Sequence, residues 1–223
     1  QAQARRLGFD VERALFAMVA NRACAPCSKL YCWEQWLKEE VRIPGTEGLS
    51  LQHLYRAMDF LEANKEPIER EIFHRVADLL NLDVEVLFYD TTSLHFEIDQ
   101  PERGAGDDDI VHGSLAAGRK PYKAPRKHGL SKNGRSDAPQ IVVGLAVTRE
   151  GFPVRHWVFP GNTVDVTTIQ KVKAELRGWQ LTRCLFVGDA GMVSESNLKV
   201  LSRGGGKYLL CMPMRRGDEI TQE

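Results

Sequence analysis

The chain has 223 residues, 43% of them hydrophobic, and its 30 Lys plus Arg balance its 30 Asp plus Glu. The apolar share argues against global disorder, and the zero net charge leaves any nucleic-acid role to be read from where the charges fall. No apolar run approaches the roughly 20 residues of a membrane span, no secretory signal opens the chain, and the five cysteines (Cys24, Cys27, Cys32, Cys184, Cys211) fit a reducing cytoplasm better than a disulfide scaffold. A start at Gln1 without Met reads as a piece of a longer chain.

The first eighty residues read as helices. Asp10 suits the N-cap of a helix with Val11, Leu15, Met18 and Val19 at helical spacing. Ser28 suits the cap of a second, carrying Leu30, Trp33, Trp36 and Leu37; the tryptophans read as packing residues. "IPGTEG" (43–48) breaks the chain, and a third helix follows over about 51–63. Pro67 fits the first turn of a fourth, with Ile68, Ile72, Val76 and Leu79 on one face. Cys24-Ala-Pro-Cys27 is a single C-x-x-C. With Cys32 as the one further thiol nearby and no histidine, it falls short of the four ligands of structural zinc.

At Leu82 the period changes to two. Val84, Val86, Phe88, Asp90, Thr92, Leu94 and Phe96 alternate with a more polar set, so Asp90 is expected on the apolar, core-facing side of a strand. A buried carboxylate must be paired, protonated or bound to a cation. An irregular stretch, 98–138, starts acidic and turns basic, with seven Lys or Arg and no acid between Arg119 and Arg135. Loops of this length are usually functional or disordered.

"PQIVVGLAVT" (139–148), "REG" (149–151) and "FPVRHWVFPGN" (152–162) read as strand, tight turn and antiparallel return strand. Asp165 or Thr163 suits the cap of a helix carrying Val166, Ile169, Val172 and Leu176, closed by Gly178. "CLFVGDAGM" (184–192) is a short strand that ends at Asp189. Ser194 caps the next helix, "GGG" (204–206) ends it, and "KYLLCMP" (207–213) is a last strand. His74, His95 and His156 fall in helix or strand patterns and read as packing or surface residues. The expected architecture is α/β: an α-helical region over 1–81, then over 82–223 a mixed sheet flanked by helices, interrupted by the basic loop at 98–138.

Functional groups in such sheets gather at the carboxyl ends of parallel strands. If the strands carrying Asp90 and Asp189 are neighbours, the two carboxylates meet on one edge and repel. A divalent cation removes that cost, and oxygen ligands without Cys or His favour Mg²⁺ or Mn²⁺. Each acid alone also suits a cap or a turn.

"YDTTSLHFE", "HGLSKNGRSDAPQIVVGLAVTREGFPVRHWVFPGNTVD" and "FVGDAGM" together resemble bacterial insertion-sequence transposases of the DDE class, closest in pattern to the IS-four superfamily, over about 82–213. The resemblance implies an RNase H-like core and two Mg²⁺ ions held by three acids, the first matching Asp90 and the second Asp189. The third, a Glu in a Y-x-x-R-x-x-x-E-x-x-x-x-x-x-K pattern, has no match; Glu219 and Glu223 lack the Tyr and Arg partners. The implied activity is metal-dependent DNA cleavage and strand transfer at the ends of a mobile element. The stretch 1–223 alone is expected to have little nicking activity, and the alternative is an inactive remnant that only binds DNA. The implied partners are double-stranded DNA, as terminal inverted repeats and target, with no membrane and with oligomerisation on DNA allowed. The implied location is a bacterial cytoplasm, at the nucleoid. Arg126, Lys127, His128, Lys132 and Arg135 are the expected DNA contacts. Asn162 and Asp165 match the family's GN-x-x-D, and their simplest roles are local, a turn and a helix cap.

Overall fold

A computed structural model describes residues 7–79, 85–98, 110–111, 122–123, 125–130, 134–135, 137–179, 181 and 184–212. The chain divides into two compact units, Gln1–Glu71 and Ile72–Glu223.

The first unit is helical. Helix α1 (Val11–Cys24) starts where expected: the Asp10 carboxylate accepts the Arg13 N–H at 3.0 Å, satisfying one of the first-turn donors. The Ser28 hydroxyl caps a single turn, Lys29–Tyr31, which runs on as a π-helix over Cys32–Glu40, ending with Val41 N–H bonded to Trp36 O. The wider winding departs from the regular α-helical spacing expected there. Helix α2 (Leu51–Ala63) opens with a reciprocal box between Ser50 and His53, and α3 (Lys65–Leu79) carries Pro67 in its first turn, where a missing N–H costs nothing. Val11, Ala14, Cys32, Trp36, Leu54 and Ala57 form the core of this unit. Trp36 is therefore a packing residue, as expected. Trp33 is half-buried and donates its indole N–H to Leu49 O at 2.9 Å. The thiol of Cys27 donates to Asn21 Oδ1 at 3.2 Å, and burial pushes the Cys32 thiol up.

The second unit is built on a five-stranded mixed sheet of order β5-β4-β1-β6-β7, from β1 (Val86–His95), β4 (Gln140–Thr148), β5 (Pro153–Pro160), β6 (Leu185–Gly188) and β7 (Lys207–Leu210). A two-residue ladder, β2 (Ile110–Val111) with β3 (Tyr122–Lys123), lies inside the long loop. β1 and β4 are antiparallel, as are β4 and β5, whereas β1–β6 and β6–β7 are parallel. The β4–β5 hairpin turns at Gly151, whose φ of +88° suits a residue without Cβ. The parallel half needs crossovers, and α4 (Ile169–Arg177) and α5 (Glu195–Ser202) supply them.

One face of the sheet packs on these helices. Leu87 and Tyr89 of β1, Phe186 of β6, Trp157 of β5 and Ile169, Val172 and Leu176 of α4 share one core. The three α4 residues follow the spacing expected from sequence; full burial of each contributes about 1.5–3 kcal/mol. Neither Asp165 nor Thr163 caps that helix: Thr168 stands at the N-cap, without a side-chain bond, after a 3₁₀ turn over Asp165–Thr167.

The phase of β1 is the reverse of that expected. Leu87, Tyr89, Thr91 and Ser93 are buried, whereas Phe88, Asp90, Thr92 and Leu94 are exposed. Counting apolar residues favours the second set. The helices pack on the first because Leu87 and Tyr89 fill the space against Trp157 and Phe186, and because Thr91 finds a hydrogen-bond partner there. Asp90 is thus solvated, and no cation is needed to explain its tolerance in the strand.

Candidate functional site

β1 and β6 run in parallel with Val86 opposite Leu185, Leu87 opposite Phe186 and Phe88 opposite Val187, a constant offset of 99 residues. Asp90 and Asp189 stand at that same offset, two positions beyond the last of these pairs. Asp189 has extended backbone (φ −87°, ψ 176°), so the line of β6 reaches it before the 3₁₀ turn Ala190–Met192 begins. Neighbouring strands lie about 4.8 Å apart, and side chains at paired positions of parallel strands leave the sheet on the same side. Asp90 alternates with Thr91 and Asp189 with Gly188, and both acids are exposed. The expected adjacency of the two strands is therefore present, with both acids at the carboxyl end of the parallel pair.

A third carboxylate, read from sequence as a cap, lies near Thr91 and Asp189. Asp165 is half-buried, and its Oδ1 accepts the Thr91 hydroxyl at 2.6 Å. Thr91 in turn donates its backbone N–H to Asp90 Oδ1 at 2.7 Å. A methyl group added at Gly191 would lie 3.3 Å from Asp189 Oδ1 and 3.5 Å from Asp165 Oδ2, so the carboxylates of Asp165 and Asp189 border the same small space. Fully buried Asn197 braces it. Its amide donates to Val166 O at 2.7 Å and to Met192 O at 2.8 Å, tying the turn after Asp165 to the turn after Asp189. Burial, and then the charges of Asp165 and Asp90, push the Tyr89 phenol up to about 12, with Thr168 pulling the other way. The run GN-x-x-D was the visible signal for Asp165. Its bond to Thr91 spans 74 residues of sequence, which no local pattern announces.

Oxygen donors on an exposed strand end fit a hard divalent ion that keeps several waters. Among the described residues no group of three His, Cys, Asp or Glu side chains is close enough to hold a metal ion. The same finding covers Cys24, Cys27 and Cys32, which form no metal group.

The expected DNA contacts are placed in part. Residues 125–130 dock on the end of the β4–β5 hairpin: Lys127 and Gln140 exchange backbone hydrogen bonds, and Gly161 N–H bonds to Pro125 O at 2.9 Å. The buried Gln140 amide adds a bond to Gly161 O at 2.8 Å. Side chains are excluded at this crossing, since a Cβ at Gly161 would fall 2.0 Å from Gln140 O. This docking holds Arg126, Lys127 and His128 on one short segment; the Arg126 guanidinium lies 5.3 Å from the Phe96 ring centre and His128 is exposed. Arg135 is engaged by two carboxylates, Asp137 at 2.9 Å and Glu97 at 3.2 Å, and depresses the Asp137 carboxyl by hydrogen bonding. Lys132 lies outside the described residues. Among the described residues no helix is long and apolar enough to cross a membrane.

No protein-family model and no curated protein matches the sequence. Solved structures similar to it include the Mos1 transposase paired-end complex with left transposon end, at 11% identity and TM-score 0.34, covering 88% of this chain and 57% of that one. A Mos1 mariner paired-end complex with Mn is similar at 11% identity and TM-score 0.33, covering 88% of this chain and 58% of that one. A piggyBac transposase synaptic complex with hairpin DNA is similar at 11% identity and TM-score 0.43, covering 93% of this chain and 42% of that one. The chain thus spans less than two thirds of each of these proteins. Likeness at these TM-scores carries no argument. The chain's own sheet is the α/β arrangement expected: a mixed sheet with a central β1, an antiparallel hairpin on one side and parallel strands on the other.

Proposed function

We propose that this chain belongs to a DNA transposase of the DDE class, of the insertion-sequence type its motifs resemble, which cleaves and joins DNA at element ends. The observation that supports the reading is the parallel β1–β6 register, whose 99-residue offset, carried two positions on, would bring Asp90 and Asp189 to neighbouring places at the carboxyl end of the two strands. Asp90 and Asp189 would hold Mg²⁺ or Mn²⁺, two ions in the whole protein. Bound there, the metal supplies a lowered water pKa and stabilisation of the departing 3′ oxygen at an in-line phosphorus. Arg126, Lys127 and His128, with Lys132 and Arg135, would meet DNA phosphates near the cleaved strand. The site of action is the bacterial nucleoid, with terminal repeats and target DNA as substrates and with assembly into oligomers on that DNA.

A second reading has one observation in its favour. Among the described residues no third ligand joins the acid pair, which suits a chain that binds DNA without cutting it. The experiment that separates them is a Mg²⁺-dependent cleavage assay on element-end DNA with the whole protein, comparing wild type, Asp90→Ala and Asp189→Ala. Cleavage lost in both variants, with DNA binding kept, is the expected result. Cleavage that survives both substitutions overturns the transposase reading, and absence of cleavage in wild type with DNA binding kept establishes the second.

A further inference from the structure

Asp165 is not where a cap residue belongs. The 3₁₀ turn that it opens has Val164 at its N-cap, and no side-chain cap bond forms there or at α4. Its carboxylate is instead spent on a residue 74 positions earlier, the buried hydroxyl of Thr91. Thr91 follows Asp90 directly and donates its backbone N–H to that carboxylate. The other oxygen of Asp165 borders Gly191 together with Asp189. One side chain thus bonds the residue next to Asp90 and lies beside the turn after Asp189, and Asn197 locks the two turns that carry Asp165 and Asp189.

We propose that Asp165 is a positioning residue for the Asp90–Asp189 pair. Its hydrogen bond to Thr91 fixes the β1 backbone where Asp90 leaves the sheet, and its place beside Gly191 ties that point to the turn after Asp189. A carboxylate accepting from a hydroxyl makes a short, strong bond. Groups that hydrogen-bond and orient metal ligands typically change metal affinity by about 10–100-fold when mutated. The role requires an acceptor at Asp165 and a hydroxyl at residue 91; it does not require the negative charge. This inference rests on the reading of Asp90 and Asp189 as metal-binding acids.

The test is Mn²⁺ binding to the 223-residue chain, followed by loss of the free-ion electron paramagnetic resonance signal, in parallel with thermal unfolding. Wild type is expected to bind, and Asp90→Ala and Asp189→Ala to lose binding. Asp165→Ala and Thr91→Val should weaken affinity by about tenfold or more. Asp165→Asn and Thr91→Ser, which keep acceptor and hydroxyl, should stay within about threefold of wild type. A structural role alone would lower the unfolding temperature without this split between conservative and disruptive variants. If Thr91→Val does not fold, the Asp165→Ala and Asp165→Asn pair decides. Wild-type affinity in Asp165→Ala, or equal loss in Asp165→Asn and Asp165→Ala, overturns the positioning role and leaves the acid pair standing. Failure of wild type to bind Mn²⁺ through Asp90 overturns the positioning role and the metal-site reading together.

Discussion

Phe88 pairs with Val187 across the parallel β1–β6 boundary, and the same 99-residue offset relates Asp90 to Asp189 two positions further on. Like charges opposite each other on adjacent strands oppose folding. If the two acids meet at that offset and share no other counter-charge, Asp90→Asn and Asp189→Asn should melt about 1–3 °C above wild type in chelator. Added Mg²⁺ should raise the melting temperature of wild type, since it binds the folded form, and should leave both variants unmoved. Equal Mg²⁺ responses in the three proteins would show that these acids do not share an ion.

Glu175 carries two partners from the buried side of the sheet. Its Oε2 lies 2.6 Å from the Arg155 guanidinium and accepts the Trp157 indole N–H at 2.8 Å. Arg155 is 8% exposed and stacked near Trp179, 5.0 Å from the ring centre. Taking away the carboxylate removes a charge partner of a buried guanidinium, a loss of up to about 3–5 kcal/mol for Glu175→Ala. Urea unfolding measures it. The double variant Arg155→Met with Glu175→Leu should recover most of the loss, because it removes the buried charge as well. A loss below about 1 kcal/mol, the range of an exposed pair, would mean that solvent reaches the pair.

Tyr89 makes stability depend on alkaline pH. Its phenol is raised to about 12 by burial first, and then by the charges of Asp165 and Asp90. The native state thus holds this proton more tightly than the unfolded chain, where tyrosine titrates near about 10. The contribution is fully present below that pH and is lost as pH rises through the folded value. A two-unit shift corresponds to about 3 kcal/mol. Tyr89→Phe should accordingly show a shallower fall in stability than wild type between about pH 10 and 12. Parallel curves would place the alkaline sensitivity elsewhere.

Much of the second unit was legible because its signals are local. The alternation through "VLFYDTTSLHF", the turn at Gly151 and the 169–172–176 spacing each bury neighbours in sequence, so element type follows from period alone. The Ser194 cap is of the same kind: its hydroxyl accepts the Asn197 N–H three residues on. The phase of β1 was not legible, since both of its faces carry large apolar residues and the choice depends on what α4 and α5 bring to one of them. The role of Asp165 was misread for a related reason. Asp near a helix start usually caps it, and only the packed fold offers it Thr91 instead.

The sequence by itself determined where strands and helices form, that two acids punctuate apolar strands, and that basic residues cluster between Arg119 and Arg135, because propensity, period and charge are properties of neighbouring residues. Tertiary structure alone decided that Asp90 faces solvent, that β6 runs parallel beside β1, that Asp165 bonds Thr91, and that Asn197 binds the two turns together. Those relationships depend on strand order and on which face the helices cover, and both are set by the packing of residues dozens of positions apart.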